Sequence, residues 1–255
     1  MLAGGATHLG VATDHIIESF RNQLWPGYKT GDNVAPELKA QFGPLEVALE
    51  ALGVTVWAMV DLEADDALAS AAAVAADDAS VEQVVICTPD KDLAQCVVDG
   101  RVVQLNRRTG AITDEAGVAA KFGVLPRSIP DWLALVGDSA DGYPGLSGWG
   151  KHSASLVLAR YENLDAIPDS VSDWDPELRR ALRNAATLAM RLAGERDRVA
   201  LFRVLATLRI DRTLLADVNQ LFWRGPTPAF EDVCRLLGDP SLAGRAAAVA
   251  RVSSA

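Results

Sequence analysis

Apolar residues in the first half of the chain gather in short, nearly unbroken runs. Residues 7–13 (THLGVAT) predict a strand ending at Asp14, Val54–Val60 a second, and Gln83–Thr88 (QVVICT) a third. Val102–Leu105 gives a shorter fourth. Runs without polar alternation mark strands covered on both faces, as in parallel sheets. Between them, Glu37–Leu52 carries apolar residues at helical spacing, and Glu63–Ala76 is alanine-rich. Strands alternating with helices predict βαβ units around a parallel sheet. From Asp114 onward the strand pattern stops. Helices are predicted at about 114–122, 127–136 and 150–161, interrupted by the Gly/Pro-rich Gly137–Gly150. Longer amphipathic helices follow over Asp175–Ala193 and Arg196–Thr207, and residues 243–250 are rich in alanine. The pattern predicts an α/β core over residues 1–110 and a helical region over 111–255.

The length of 255 residues suffices for one sizeable core with a helical annex. Charge interrupts every apolar stretch well short of the roughly 18 residues a membrane span needs. Met1-Leu2-Ala3-Gly4-Gly5 shows neither a basic segment nor a long apolar one, so no export signal is expected. Cys87, Cys96 and Cys234 form no CxxC pair, which predicts free thiols and a cytoplasmic location. The formal net charge of −10 opposes tight nonspecific binding to phosphate. Many of the acids, however, sit in short clusters, and that changes what the charge means.

Asp14 follows the first predicted strand. Glu63, Asp65 and Asp66 open the helix after the second, and Asp90 and Asp92 follow the third. Ligand sites in open parallel sheets form beyond the carboxyl ends of the strands. For any one of these groups a helix cap is the better reading, since acids at helix N-termini are favoured by about 0.3–2 kcal/mol. Capping does not account for three groups together. Like charges about 4 Å apart repel by about 4 kcal/mol at an effective dielectric near 20. Oxygen-rich sites of this kind suit Mg²⁺ or Mn²⁺, and paired ions are the usual device for in-line phosphodiester displacement.

The stretch Gly137-Asp138-Ser139-Ala140-Asp141-Gly142-Tyr143-Pro144-Gly145-Leu146-Ser147-Gly148-Trp149-Gly150-Lys151 adds two carboxylates and a glycine-punctuated turn between helices. Such a turn can face backbone N–H groups and a helix N-terminus toward a phosphate. The spacing GxxGxG after a helix is not the dinucleotide fingerprint, which follows a strand. His8, His15 and His152 show no zinc spacing and are read as surface or packing residues.

Together, EADDALAS, VVICTPDKDLAQCV and GVLPRSIPDWLALVGDSADGYPGLSGWGKHSA resemble the 5′–3′ exonuclease domain of the flap endonuclease superfamily. VATDHIIESFRNQLWPGYKTG resembles the family's Phe-Asp…Ser-Phe-Arg…Tyr-Lys segment. The likeness is dense over about residues 7–165 and weaker to about 225. It implies an α/β, PIN-like parallel-sheet nuclease core followed by a helix-three-turn-helix at 137–151. It also implies a cytoplasmic monomer that cleaves DNA at a 5′ end or 5′ flap, in replication or repair, with no membrane partner. On this resemblance Glu63, Asp65, Asp90, Asp92 and Asp141 hold a pair of Mg²⁺ or Mn²⁺ ions. Asp14 matches the acid after the family's second strand, and Asp66 and Asp138 are supporting acids. The catalytic set it implies is Asp14, Lys29, Asp65 and Asp90. DNA contacts fall to Arg21, Lys29, Lys91, Ser139, Gly145, Gly148, Gly150 and Lys151, with a K⁺ ion held by carbonyls and Ser139. For Arg21 and Lys29 an ordinary solvated surface is the competing reading.

Two departures qualify this. Gly31-Asp32 stands where the family usually has an Arg. The family's opening strand, with one metal carboxylate, has no counterpart in residues 1–255, which leads us to expect low stability and slow cleavage. Two further readings therefore stay open: a catalytically impaired DNA-binding module, and a metal-dependent RNase, against which the helical 137–151 element argues.

Overall fold

The computed structural model describes residues 1–253. In chain order the elements are β1 (Gly10–Asp14), α1 (Phe20–Leu24), α2 (Pro36–Lys39), α3 (Phe42–Ala51), β2 (Thr55–Met59), α4 (Ala64–Asp77), β3 (Val84–Ile86), β4 (Val102–Asn106) and β5 (Ala111–Thr113). Helices follow: α5 (Glu115–Phe122), α6 (Ile129–Val136), α7 (Lys151–Tyr161), α8 (Pro176–Ala181), α9 (Ala185–Gly194), α10 (Arg196–Ala206), α11 (Phe230–Leu236) and α12 (Ser241–Ser253). The chain forms two compact units. The first comprises residues 1–19, 30–78 and 210–255; the second comprises 20–29 and 79–209.

In the first unit β1 and β2 pair in parallel, with Gly10 opposite Thr55 and Asp14 opposite Met59. The strand expected at residues 7–13 starts later, because Thr7 and Leu9 are engaged elsewhere. Leu9 N–H donates to Leu221 O, and Trp223 N–H donates to Thr7 O. Trp57 from β2 packs its ring over Gly10, where a Cβ would come within 2.5 Å of it. Its indole N–H is satisfied by Leu214 O at 2.9 Å. Ala67 and Ala71 of α4 are buried, small enough to seat the helix closely on Trp57 and Met59.

The single helix expected over 37–52 is two. Pro44 has no N–H and its ring would clash with the carbonyl of Ala40, so α3 restarts just ahead of it. The helix expected over 175–193 likewise breaks at Leu182, whose φ of −106° and ψ of 102° are extended. β5 was not expected: it is a three-residue antiparallel edge on β4, reached through a turn in which Asn106 Oδ1 accepts from Arg108 N–H. Nor were α1, α11 and α12.

The second unit carries a parallel β3–β4 pair with β5 on its edge, and a large helical core. Trp132 and Leu133 of α6, Val157 and Leu158 of α7, Leu188 of α9 and Phe202 of α10 meet there. At one end of it Arg21 from α1 is 1 % exposed. Its Nε donates to Leu205 O at 2.8 Å and its Nη2 to Thr207 O at 3.2 Å, at the end of α10, where a cation also meets the helix dipole favourably. Among the described residues no helix is long and apolar enough to cross a membrane.

Arg21 thus serves as a strut, which gives a direct expectation. Arg21→Leu removes a cation and leaves the Leu205 and Thr207 carbonyls without that donor, and should cost about 2–4 kcal/mol. Urea unfolding of the two proteins measures this, and equal midpoints would refute the strut.

Candidate metal and nucleic-acid site

Each unit carries its own group of carboxylates. In the first, Asp14 ends β1, and its Oδ1 accepts from Ala64 N–H, the first residue of α4, at 2.6 Å. Glu63 precedes α4. Its N–H donates to Asp66 Oδ2 at 3.0 Å, and its Oε1 accepts from Ser19 Oγ at 2.7 Å. Glu63 and Asp66 are buried, and Asp65 beside them is half-buried. The capping reading of these acids therefore holds locally, and the caps fix where the carboxylates stand. A positive helix N-terminus makes the concentration of charge tolerable.

In the second unit the chain turns sharply after β3. Asp90 N–H donates to Thr88 Oγ1 at 3.1 Å, Asp92 N–H to Asp90 Oδ1 at 3.0 Å, and Gln104 from β4 pins Asp90 O at 2.7 Å. Asp90 itself stays exposed, while Asp92 is buried. After α6, Asp138 and Tyr143 exchange backbone hydrogen bonds of 2.8 and 3.0 Å, closing a tight loop that holds Asp141. Carboxylate oxygens of Asp92, Asp138 and Asp141 all lie within 4.8 Å of one another, and all three residues are buried. Two cations face them. Lys91 Nζ forms a close ion pair with Asp138, and Lys29 Nζ lies 3.1 Å from Asp141 Oδ1.

The balance is still unfavourable at Asp92. Burial, then the charges of Asp141 and Asp90, push its carboxyl well above the usual range, with Lys91 opposing and Asp138 reinforcing the shift. Its Oδ1 is buried and accepts no hydrogen bond. The Tyr143 hydroxyl, 1 % exposed, is likewise without a partner, and burial together with the charges of Asp92, Asp138 and Asp141 holds its pKa well above the usual phenol value. Orphaned polar atoms beside converging hard oxygens are what a hydrated divalent cation would satisfy, so these residues fit a metal ion.

The turn that follows closes on itself. A Cβ on Gly145 would stand 2.4 Å from Gly137 N, and one on Gly137 would stand 2.4 Å from Pro144 C, so only glycine fits at either place. Gly150 caps α7, its N–H donating to Ser153 Oγ at 3.0 Å. Ser139, Gly148, Gly150, Lys151 and His152 are exposed. Arg191 from α9 lies against this turn, reaching Ser147 Oγ at 3.0 Å and crowding the Gly148 Cα. Neither Arg191 nor Tyr143 was singled out from the sequence: Arg191 is one of many arginines on helix surfaces, and Tyr143 reads as core. Arg21 is placed inside the unit, as neither the DNA-contact nor the solvated-surface reading expected. His15 is exposed, with Nδ1 2.8 Å from Glu46 Oε2, and His8 packs edge-on to Phe222.

Comparison with known proteins agrees with this geometry. Residues 3–123 match the family described as 5′–3′ exonuclease, N-terminal resolvase-like domain, and residues 124–229 match 5′–3′ exonuclease, C-terminal SAM fold. The chain is 36 % identical over 206 residues to DNA polymerase I of Pseudomonas aeruginosa, spanning 80 % of this chain and 22 % of that protein's length. It is 30 % identical over 199 residues to a 5′–3′ exonuclease of Buchnera aphidicola subsp. Schizaphis graminum, spanning 78 % of this chain and 67 % of that one. Among solved structures, a bacteriophage T5 5′-exonuclease with bound zinc ions superposes at a TM-score of 0.59, with 17 % identity, over 96 % of this chain and 82 % of that one. The catalytic core of Rad2 in complex with a DNA substrate superposes at 0.58, with 16 % identity, over 92 % and 75 %.

The raised Asp92 carboxyl has a testable sign. Without metal, the folded chain binds a proton there more readily than the unfolded chain does. Asp92 therefore costs stability as pH climbs from the ordinary carboxylate range through the raised value. In EDTA at neutral pH, Asp92→Asn should melt above the parent, and the gap should close toward acid pH. With Mn²⁺ added, the parent should gain more in melting temperature than Asp92→Asn, which keeps only the acids of the first unit intact. Differential scanning calorimetry at several pH values reads all three, and a variant that melts below the parent in EDTA would contradict the reading.

Proposed function

The chain belongs to the 5′–3′ exonuclease family, and from that premise we propose that it is a metal-dependent nuclease hydrolysing DNA phosphodiester bonds at a 5′ end or 5′ flap. The observation that carries this is the buried Asp92–Asp138–Asp141 trio, whose oxygens lie within 4.8 Å of one another with Asp92 Oδ1 unpartnered. Two Mg²⁺ or Mn²⁺ ions are its cofactors. Asp90, Asp92, Asp138 and Asp141 form one set of ligands and supporting acids, and Asp14, Glu63, Asp65 and Asp66 the other. When bound, such ions activate water and neutralise charge on the departing oxygen. The chain's own residues do the rest. Asp90 and Asp138 each accept a nearby backbone N–H, of Asp92 and Ala140, which fixes their carboxylates before substrate arrives. Lys29 and Lys91 supply positive charge beside the acids and can turn to a phosphate.

Residues 137–151 supply the duplex grip. The glycine turn presents backbone toward phosphates, Lys151 opens α7 beside it, and Ser139 with neighbouring carbonyls offers a place for K⁺. We assign the chain to the cytoplasm as a monomer acting in DNA replication or repair. Its DNA polymerase I relatives are much longer, and it spans about a fifth of their length, 22 % in the Pseudomonas case.

Asp90→Ala combined with Asp92→Ala should abolish Mg²⁺-dependent cleavage of a 5′-flap DNA while leaving duplex binding within a few-fold. Gel-based cleavage and fluorescence anisotropy on the same preparation test this together. Binding without cleavage by the parent itself would instead favour an impaired DNA-binding module.

Lys151→Ala should weaken binding to unrelated duplex sequences alike and make the dependence of log K on log salt shallower by about one phosphate contact. A loss confined to one sequence would show base reading in place of backbone contact.

A further inference from the structure

The acidic trio of the second unit is already occupied by charge. Lys91 is the residue between Asp90 and Asp92, and its backbone is fixed at the head of the 3₁₀ turn Asp92–Cys96. Its Nζ is paired closely with Asp138 Oδ2 and stands 3.7 Å from Asp92 Oδ1, too far to hydrogen-bond to it. The ammonium thus stands beside two buried carboxylates, paired with one and facing the other. It still leaves the pocket incompletely satisfied, since Asp92 Oδ1 and the Tyr143 hydroxyl both lack partners. An ammonium offers three donors on one point. A hydrated divalent ion offers twice the charge and several directed oxygens.

We propose that Lys91 is the residue that sets the affinity of this site for its divalent ion: its ammonium takes the place between Asp138 and Asp92 in the metal-free protein and must leave before the ion is held. The inference rests on the metal-site reading above. A cation and a divalent ion cannot share the same carboxylate oxygens without strong repulsion, so one excludes the other. Nothing bars the exit, because the Lys91 side chain is 33 % exposed on a flexible stem while Asp138 is 4 % exposed. Lys29 differs, since its backbone N–H is tied to Asp141 O at 3.0 Å as well as its ammonium to Asp141 Oδ1. Lys91 keeps the metal-free acids from repelling one another, and the metal must displace it to bind.

The full chain and its Lys91→Met, Lys91→Gln, Lys91→Arg and Asp92→Asn variants are titrated with Mn²⁺ by isothermal calorimetry and melted in EDTA and in saturating Mn²⁺. Lys91→Met, which keeps the stem and removes the charge, should bind Mn²⁺ about tenfold more tightly than the parent. It should melt lower in EDTA and no lower in Mn²⁺, while Lys91→Arg stays within about twofold of the parent in affinity. Lys91→Gln gives the same reading should the methionine variant not fold without metal. A Lys91 variant lacking the charge that binds Mn²⁺ no more tightly than the parent overturns the proposal, the site being identified by the Mn²⁺ binding that Asp92→Asn loses relative to the parent. A parent that binds no Mn²⁺ overturns the metal-site reading itself, and this proposal with it.

Discussion

Carboxylates brought together out of water repel, and much of the local structure around the proposed site serves to contain that repulsion. Three buried acids with oxygens inside 4.8 Å of one another set the problem in the second unit. At an effective dielectric near 20, each pair costs about 4 kcal/mol, against a whole-domain stability of about 5–15 kcal/mol. The chain answers with Lys91 on Asp138, Lys29 on Asp141, and backbone N–H groups of Asp92 and Ala140 on Asp90 and Asp138. Asp92 is the member left over. It lies in the short turn after β3, where sequence neighbours supply an acid and a lysine but no donor for its Oδ1. The cost concentrated on that one oxygen makes the site receptive to a cation.

The first unit handles a similar concentration of charge by different means. No lysine sits in its 63–66 segment; the positive end of α4 and a set of caps do the work. Asp14 reaches across from β1 to the first N–H of α4, Asp66 closes back on Glu63, and Ser19 holds the Glu63 carboxylate from the side. These bonds are the same whether the acids are regarded as caps or as metal ligands. A cap needs a carboxylate oxygen pointed at the helix end, and a ligand needs the other oxygen held still. One geometry meets both demands, so the capping explanation, sufficient for any one of these acids, does not compete with the functional one.

That overlap explains what the sequence could reveal. The strands β1 to β4 were legible because burial on two faces leaves apolar runs, and the acids at their ends were legible because chain connectivity alone puts them at strand termini. Helix continuity was less legible. The break before α3 depends on one proline acting on a carbonyl four residues back, and the break after α8 depends on Leu182 leaving the helix to stay buried. Arg21 shows the deeper limit. A basic residue in a loop-like segment suggests a phosphate contact, yet it donates to carbonyls more than 180 residues away, which no local pattern announces. Tyr143 is a similar case: its ring belongs to the core beside Phe202, while its hydroxyl belongs to the electrostatics of the acids.

The net charge of −10 can now be placed. Part of it is drawn inward, onto Glu63, Asp66, Asp92, Asp138 and Asp141, all buried and all within reach of caps, lysines or a metal ion. A carboxylate withdrawn in this way and neutralised by a bound cation contributes little to the field a nucleic acid meets from outside, since that field is set by exposed groups within about a Debye length. Among the basic side chains near the 137–151 turn are Lys151 at the head of α7 and Arg191 against Ser147. An acidic chain can therefore present a locally basic surface.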